Sequence, residues 1–258
     1  MLQMNCIVFV TVRTASKRLP KKALRKIKGR PLIQILLDRI RESGVARKIV
    51  VCTTKLKSDN KLVTFLKNKR IDVFRGDAKD ILKRLYYAAK KYDTSEFVVV
   101  EGDDIFCEPS LIRKTCNIIS KTDYDFVLWN GIPFGSSPLG IKTKPLYELV
   151  KNKNISDTET GWGQFIINSG LFRVARIKPK NKKLYRPEIR LSIDYGEDLA
   201  VARKILYRLP KKFTLIDIIR LFDDDRSLSK INEFTKKKYE KHFTRKMNIS
   251  LKKKEKRI

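Results

Sequence analysis

Between residues 6 and 129 the chain alternates short apolar runs with longer amphipathic segments, and this alternation constrains the fold more than any other feature. The runs CIVFVTV (6–12), KIVVCTT (48–54), IDVFRG (71–76), EFVVVEGDD (96–104) and YDFVLW (124–129) are rich in β-branched and aromatic residues, and most are apolar without interruption. A strand that is apolar on both faces has to be covered on both faces, the condition of a parallel sheet between two helical layers. The intervening segments supply those layers. PLIQILLDRIRES (31–43) sets Ile33, Leu36, Leu37 and Ile40 on one helical face, and SDNKLVTFLKN (58–68) opens on the cap-like Ser58. DAKDILKRLYYAAKKY (77–92), with Asp77 as its N-cap, aligns Ile81, Leu82, Leu85 and Ala89, and PSLIRKTCNIIS (109–120) is a further helix.

After residue 129 the pattern loosens. The stretch 130–187 is turn-rich and aromatic, with a strand expected over FIINSGLFRV (165–174). EIRLSID (188–194) reads as another strand, followed by helices over 195–209 and 215–225. From Lys236 the sequence is mostly basic and loses its periodicity, which predicts a frayed tail. The expected organisation is one catalytic domain over 1–235, whose segment 130–187 reads an acceptor or a second copy of the chain, and a basic tail over 236–258.

The net charge of +31 calls for anionic partners such as nucleotides, nucleic acid or a membrane surface, or else reflects a general lysine bias. Cys6, Cys52, Cys107 and Cys116 form no C-x-x-C pair, and Cys6 and Cys52 lie in strand-like runs, so free thiols and a cytoplasmic setting are expected. The first apolar run is too short to span a membrane. The single histidine, His242, argues against Ser-His-Asp chemistry and histidine-rich zinc sites. A metal here would be held by carboxylates, which favours a hard cation such as Mg²⁺.

Ligands of open α/β sheets bind at the carboxyl ends of the strands. Three polar clusters fall there: the basic loop VRTASKRLPKKAL (12–24), EGDD (101–104) and Asp194. Cationic side chains neutralise phosphate oxygens and carboxylates hold the bridging metal, a division of labour suited to phosphoryl or nucleotidyl transfer. VRTASKRLPKKALRKIKGRPLI resembles the signature of sugar-activating cytidylyltransferases through Arg13, Ser16, Arg18, Leu19, Pro20, Lys22 and Leu24, then Gly29, Pro31, Leu32 and Ile33. EGDDIFCEPSLI and LSIDYGEDLAVARKI are similar to two further motifs of that family. VFRGDAKDILKRLYYAAKKY is similar to the spore-coat polysaccharide branch of the acylneuraminate cytidylyltransferases.

The resemblance covers roughly 5–128 and 188–209. It implies a three-layer α/β/α, nucleotide-diphospho-sugar transferase-like (Rossmann-like) single domain with a mainly parallel sheet. It also implies transfer of CMP from CTP to an acidic sugar, phosphate or phosphonate acceptor, with release of pyrophosphate. Arg13, Arg18, Lys22 and Asp103 would be the catalytic set. Val12, Arg13, Ser16, Arg18, Lys22, Thr53 and Glu101 would bind nucleotide, and Asp103 and Asp194 would hold Mg²⁺. A homodimer is the expected assembly. The chain departs from the pattern at Ala15 and Lys21, where glycine is usual, at Gly196, and at Glu101, whose carboxylate would suit guanine as well as cytosine unless it pairs with a lysine. Asp194 with Glu197 also has capping-box spacing, and Glu197 and Asp198 suit a helix N-terminus. Asp104 would either assist the metal or face solvent. Two other functions compete: a nucleotide-sugar glycosyltransferase of related fold, and a polyanion-binding protein without catalysis.

Overall fold

Six consecutive buried residues make Cys6–Thr11 (β1) the centre of the molecule: Ile7 and Phe9 point into one helical layer, Val8 and Val10 into the other. The computed structural model describes residues 6–16 and 18–255. After β1 come a 3₁₀ turn (Lys22–Leu24), a small ribbon of Lys26–Ile27 (β2) and Arg30–Pro31 (β3), and helix α1 (Leu32–Glu42). Then follow β4 (Ala46–Thr54), α2 (Asn60–Asn68), β5 (Asp72–Gly76), α3 (Ile81–Lys91), β6 (Glu96–Glu101) and α4 (Pro109–Lys121). The remainder is β7 (Phe126–Trp129), β8 (Leu139–Lys142), α5 (Thr143–Asn152), α6 (Trp162–Asn168), β9 (Val174–Ile177), α7 (Gly196–Arg208), α8 (Leu215–Asp224), α9 (Ser227–Ile231) and α10 (Glu233–Glu255).

Seven strands form one sheet in the order β5-β4-β1-β6-β8-β7-β9. β5, β4, β1 and β6 run parallel, while β8 is antiparallel to both its neighbours and β7 pairs parallel with β9. Leu36 of α1, Leu66 of α2, Ile112 of α4, Ile205 of α7 and Ile218 of α8 pack with Val8 and Val10. Leu85 of α3, Leu146 of α5 and Ile166 of α6 pack with Phe9 on the other face. Full burial of a side chain such as Phe9 is worth about 2–3 kcal/mol, and both layers gain in this way from the apolar run Ile7 to Val10. Arg39 of α1 ties the first layer together. Its buried guanidinium donates to the carbonyls of Cys107 and Phe213 and pairs with Glu108, which in turn accepts the first N–H of α8 from Leu215. Because β4 and β6 flank β1 on opposite sides, the strand order reverses at β1, and a crevice opens at its carboxyl end.

Several expectations are corrected. Residues 165–174 form no strand: Gly161, at φ +72°, begins α6, and the strand is Val174–Ile177. Phe165, Ile166 and Ile167 are apolar in succession, which suits either period, and among them only Ile166 is fully buried. The segment 188–194 is buried from Ile189 onward but joins no sheet: Leu191 and Ser192 donate to the Phe134 carbonyl, and Ile193 to that of Asp103. Asp77 caps a turn through the N–H groups of Lys79 and Asp80, while Asp80 is the N-cap of α3. Ser58 lies in a 3₁₀ turn (Lys57–Asp59) ahead of α2. The segment from Lys236, read as a frayed tail, belongs as far as Glu255 to helix α10, whose origin is fixed by Asn232 and Thr235 donating to Asp198. All four cysteines are free thiols, and no helix among the described residues is long and apolar enough to cross a membrane.

Candidate active site

The basic loop leaves β1 at the crevice and takes its shape from Asp59, which the sequence did not single out. Asp59 is fully buried and accepts five hydrogen bonds, from the N–H and hydroxyl of Thr14, the hydroxyl of Thr53, and the N–H and hydroxyl of Thr54. Burial pushes this carboxyl up, but the bonds from Thr14, Thr54 and Thr53 outweigh it and hold Asp59 below its ordinary value. One carboxylate thus fastens the loop after β1 to the end of β4. Thr53, expected at the nucleotide, is spent on this knot and does not line the cavity. Further along, the Ser16 hydroxyl accepts the Leu19 N–H at 3.2 Å, and Lys21 takes the left-handed conformation, φ +55°, for which the usual glycine is suited.

The loop presents its charges to the two acidic clusters. The Lys22 ammonium stands 2.5 Å from Asp103 Oδ2 and 3.1 Å from Asp194 Oδ1, and donates to the Ile193 carbonyl at 3.0 Å. Arg18 Nη2 is 2.6 Å from the same Asp194 oxygen, and Arg190 Nη2 is 2.9 Å from the other. Burial alone would raise Asp194, but Lys22, Arg18 and Arg190 hold it far below the ordinary carboxylate range. Burial would lower Lys22, and Asp103 and Asp194 reverse that. Asp194 is not a helix cap. The N-cap of α7 is Tyr195, and Asp198 accepts the N–H groups of both Asp194 and Tyr195 at 3.0 Å while pairing with Arg190. The structural part expected of Asp198 is therefore what it plays, and Arg190 joins it to Asp194.

These groups face a cavity of about 430 Å³ that Val12, Arg13, Ser16, Arg18, Lys22, Glu101, Asp103 and Asp194 all line. Gly102, also in the lining, lets the chain pack closely on Val12, since a Cβ there would meet Val12 Cβ at 2.5 Å. Glu101 accepts from the Trp162 indole at 2.6 Å, so an indole rather than a lysine orients it. Burial and the neighbouring Asp103 push its carboxyl up to about 7 against the effect of that hydrogen bond. Arg13 Nε is 2.9 Å from Glu159, which also pairs with Arg84 of α3. Tyr239 and His242 of α10 and Phe134 complete the wall, with the Arg190 guanidinium 5.1 Å from the Phe134 ring and 4.9 Å from that of Tyr239. Among the described lining residues, Arg13, Arg18, Lys22 and Arg84 balance Glu101, Asp103, Glu159 and Asp194.

The donor set fits a hard divalent cation. Asp103 and Asp194, ninety-one positions apart, converge on a single positive point, the Lys22 ammonium. Glu101, Asp103 and Asp104 each offer an oxygen within 4.8 Å of the others. Asp104 does not face solvent: it is buried, its Oδ1 has no partner, and burial followed by Asp103 and Glu101 pushes it well above its ordinary value. Oxygen-only ligands of this kind suit Mg²⁺ or Mn²⁺.

A basic loop at the switch point of an α/β sheet, facing carboxylates that converge on one cation, is the equipment of a nucleotidyltransferase. A family model described as cytidylyltransferase matches residues 7–205, and the chain belongs to the cytidylyltransferase family. It is accordingly an enzyme that draws CMP from CTP, rather than a glycosyltransferase or a polyanion-binding protein. An uncharacterized protein of Methanocaldococcus jannaschii is 33% identical over 241 residues, covering 91% of this chain and 97% of that protein. The spore coat polysaccharide biosynthesis protein SpsF of Bacillus subtilis is 26% identical over 204 residues, 76% of this chain and 84% of its own length. A 3-deoxy-manno-octulosonate cytidylyltransferase of Agrobacterium fabrum is 36% identical over 127 residues, 47% of this chain and 49% of its own. Among solved structures, a cytidylyltransferase from Leptospira borgpetersenii superposes with a TM-score of 0.78 at 21% identity, over 88% of this chain and 96% of that one.

Proposed function

We propose that this enzyme transfers CMP from CTP to an acidic sugar and releases pyrophosphate, on a branch of the family near the spore-coat proteins. The observation that carries the reading is Lys22 held between Asp103 and Asp194 with Arg18 alongside: cation and anion sites for a metal nucleotide, side by side. In this reading Arg18 and Lys22 turn from the carboxylates to the phosphates, where their charge stabilises the departing pyrophosphate. Arg13 and the loop amides near Ser16 hold the rest of the chain of phosphates. Asp103 and Asp194 would hold the divalent cation, which we take to be Mg²⁺, and when bound it would supply charge neutralisation for the phosphates. The names of two relatives, one in polysaccharide biosynthesis and one acting on 3-deoxy-manno-octulosonate, favour a sugar acid over a phosphonate as the acceptor.

A pyrophosphate-release assay tests this with CTP and GTP against 3-deoxy-manno-octulosonate, other sugar acids and phosphonates. Release is expected with CTP and a sugar acid. Release that requires GTP would show that Glu101 reads guanine, and release with phosphonates alone would overturn the acceptor.

A further inference from the structure

Arg84 is an unusual residue to find inside a protein. It sits on the buried face of α3, in the apolar stripe with Ile81, Leu85 and Ala88, and its side chain is 1% exposed. Its stem lies so close to the end of β5 that a Cβ on Gly76 would meet Arg84 Cγ at 2.8 Å. Arg84 is among the residues that line the active cavity, yet its Nε has no hydrogen-bond partner. Leaving a charged donor buried and incompletely satisfied is costly unless something else uses it.

What stands before Arg84 in this structure is Glu159, from the connection between α5 and α6. One oxygen of its carboxylate meets Arg84, the other meets Arg13 of the basic loop, and the side chain is 7% exposed. A carboxylate shared by two guanidiniums has the geometry and charge of a bound oxyanion. Two cations against one anion leave the cluster one positive charge in excess. The backbone carrying Glu159 is held independently: Thr158 donates its N–H to the Lys79 carbonyl and its hydroxyl to Asp80. Glu159 can therefore leave by rotating its side chain, with no unfolding of the segment.

We propose that Arg13 and Arg84 form an anion subsite for the phosphates of CTP beyond the α-phosphate, and that Glu159 occupies it until nucleotide displaces it. The position supports those phosphates: Arg84 belongs to the β5 side of β1, whereas Asp103 and Asp194, with Arg18 and Lys22, gather where β6 ends. Glu159 is then a competitor built into the chain, and its charge sets how tightly the polyphosphate is held. The inference rests on the CTP reading, which wild-type binding of CTP tests by itself.

Isothermal titration of CTP, pyrophosphate and CMP, without acceptor, separates the two questions. Glu159→Gln keeps the shape but removes the competing charge, so CTP and pyrophosphate should bind about tenfold more tightly while CMP changes little. Arg84→Lys cannot reproduce the planar fork and should weaken CTP and pyrophosphate by about tenfold. Thermal melting reports whether each variant folds, and if Arg84→Lys does not, Glu159→Gln and Glu159→Ala carry the test. Weaker CTP binding by Glu159→Gln would make Glu159 a brace for the arginines and overturn the proposal. So would unchanged pyrophosphate affinity, including the case in which only the KM for the sugar acid moves. If the wild-type chain binds no CTP, the nucleotide reading fails instead.

Discussion

Replacing Asp59 by asparagine tests how the catalytic loop is held. Oδ1 of Asp59 serves the N–H and hydroxyl of Thr14, and Oδ2 serves the hydroxyl of Thr53 with the N–H and hydroxyl of Thr54. Asparagine keeps one of these oxygens and turns the other into a donor. The threonine hydroxyls can rotate to accept, but a backbone N–H cannot, so either Thr14 or Thr54 is left with a buried donor facing a donor. An orphaned donor costs about 1–3 kcal/mol, and loss of charge from the surviving bonds adds about 1 kcal/mol. A total of about 2–4 kcal/mol corresponds to a fall in Tm of roughly 4–8 °C for a domain of this size. The pH dependence follows from sign. The folded-state carboxyl of Asp59 is held below its ordinary value of 3.8, so its contribution is complete above that pH and is lost as pH falls through the lower folded value. Thermal melts of wild type and Asp59→Asn should therefore differ widely at pH 7 and begin to converge only as pH falls below about 3.8. The KM for CTP should rise as well, because Arg13 and Ser16 flank the loosened Thr14. Equal stability at pH 7, or a gap that survives acid, would refute the account of the knot.

Asp103→Asn removes one of the two carboxylates that meet Lys22, and turnover should fall by about a hundredfold or more at saturating Mg²⁺ or Mn²⁺, read as pyrophosphate release. Removing α10 by a stop codon at position 233 exposes the Arg190 face and takes Tyr239 from the cavity wall; the expected result is a raised KM in steady-state assays, with unchanged kinetics arguing for a dispensable helix. Lys21→Gly relieves a left-handed lysine and should raise stability by about 1 kcal/mol in urea melts, whereas a loss would show that the lysine side chain matters more than its backbone.

The parallel half of the sheet was legible because its strands, such as Ile7 to Val10 and Val98 to Val100, are buried on both faces and so carry no polar residues. The same reasoning fails at β8, whose four residues contain Gly140 and a terminal lysine, and whose place between β6 and β7 is decided by pairing across the sheet. Arg18, Lys22, Asp103 and Asp194 could be read from motifs, since each stands in a recognisable local pattern. Asp59 could not: its partners at 14, 53 and 54 meet only in the fold. Arg84 did leave a signal, a cation in the middle of an apolar helical stripe, as did Arg190 between Ile189 and Leu191. Tyr239 was hidden by the lysines around it, which mask a helix anchored by just a few contacts to Asp198, Phe134 and Arg190.

The pairing of Arg13, Arg18, Lys22 and Arg84 with acids of the same chain has a consequence for life among competing polyanions. A surface with a net charge of +31 attracts RNA, inorganic phosphate and every other nucleotide. Inside the cavity much of that attraction is offset, because Arg13, Arg18, Lys22 and Arg84 already face Glu159, Asp194 and Asp103. An anion arriving alone would draw Lys22 and Arg18 away, leaving Asp103 without the Lys22 ammonium and Asp194 with Arg190 alone. A nucleotide that arrives with its own counter-ion exchanges like for like. Charge balance thus favours entry of a neutralised salt into the cavity, where the outer surface collects charge indiscriminately.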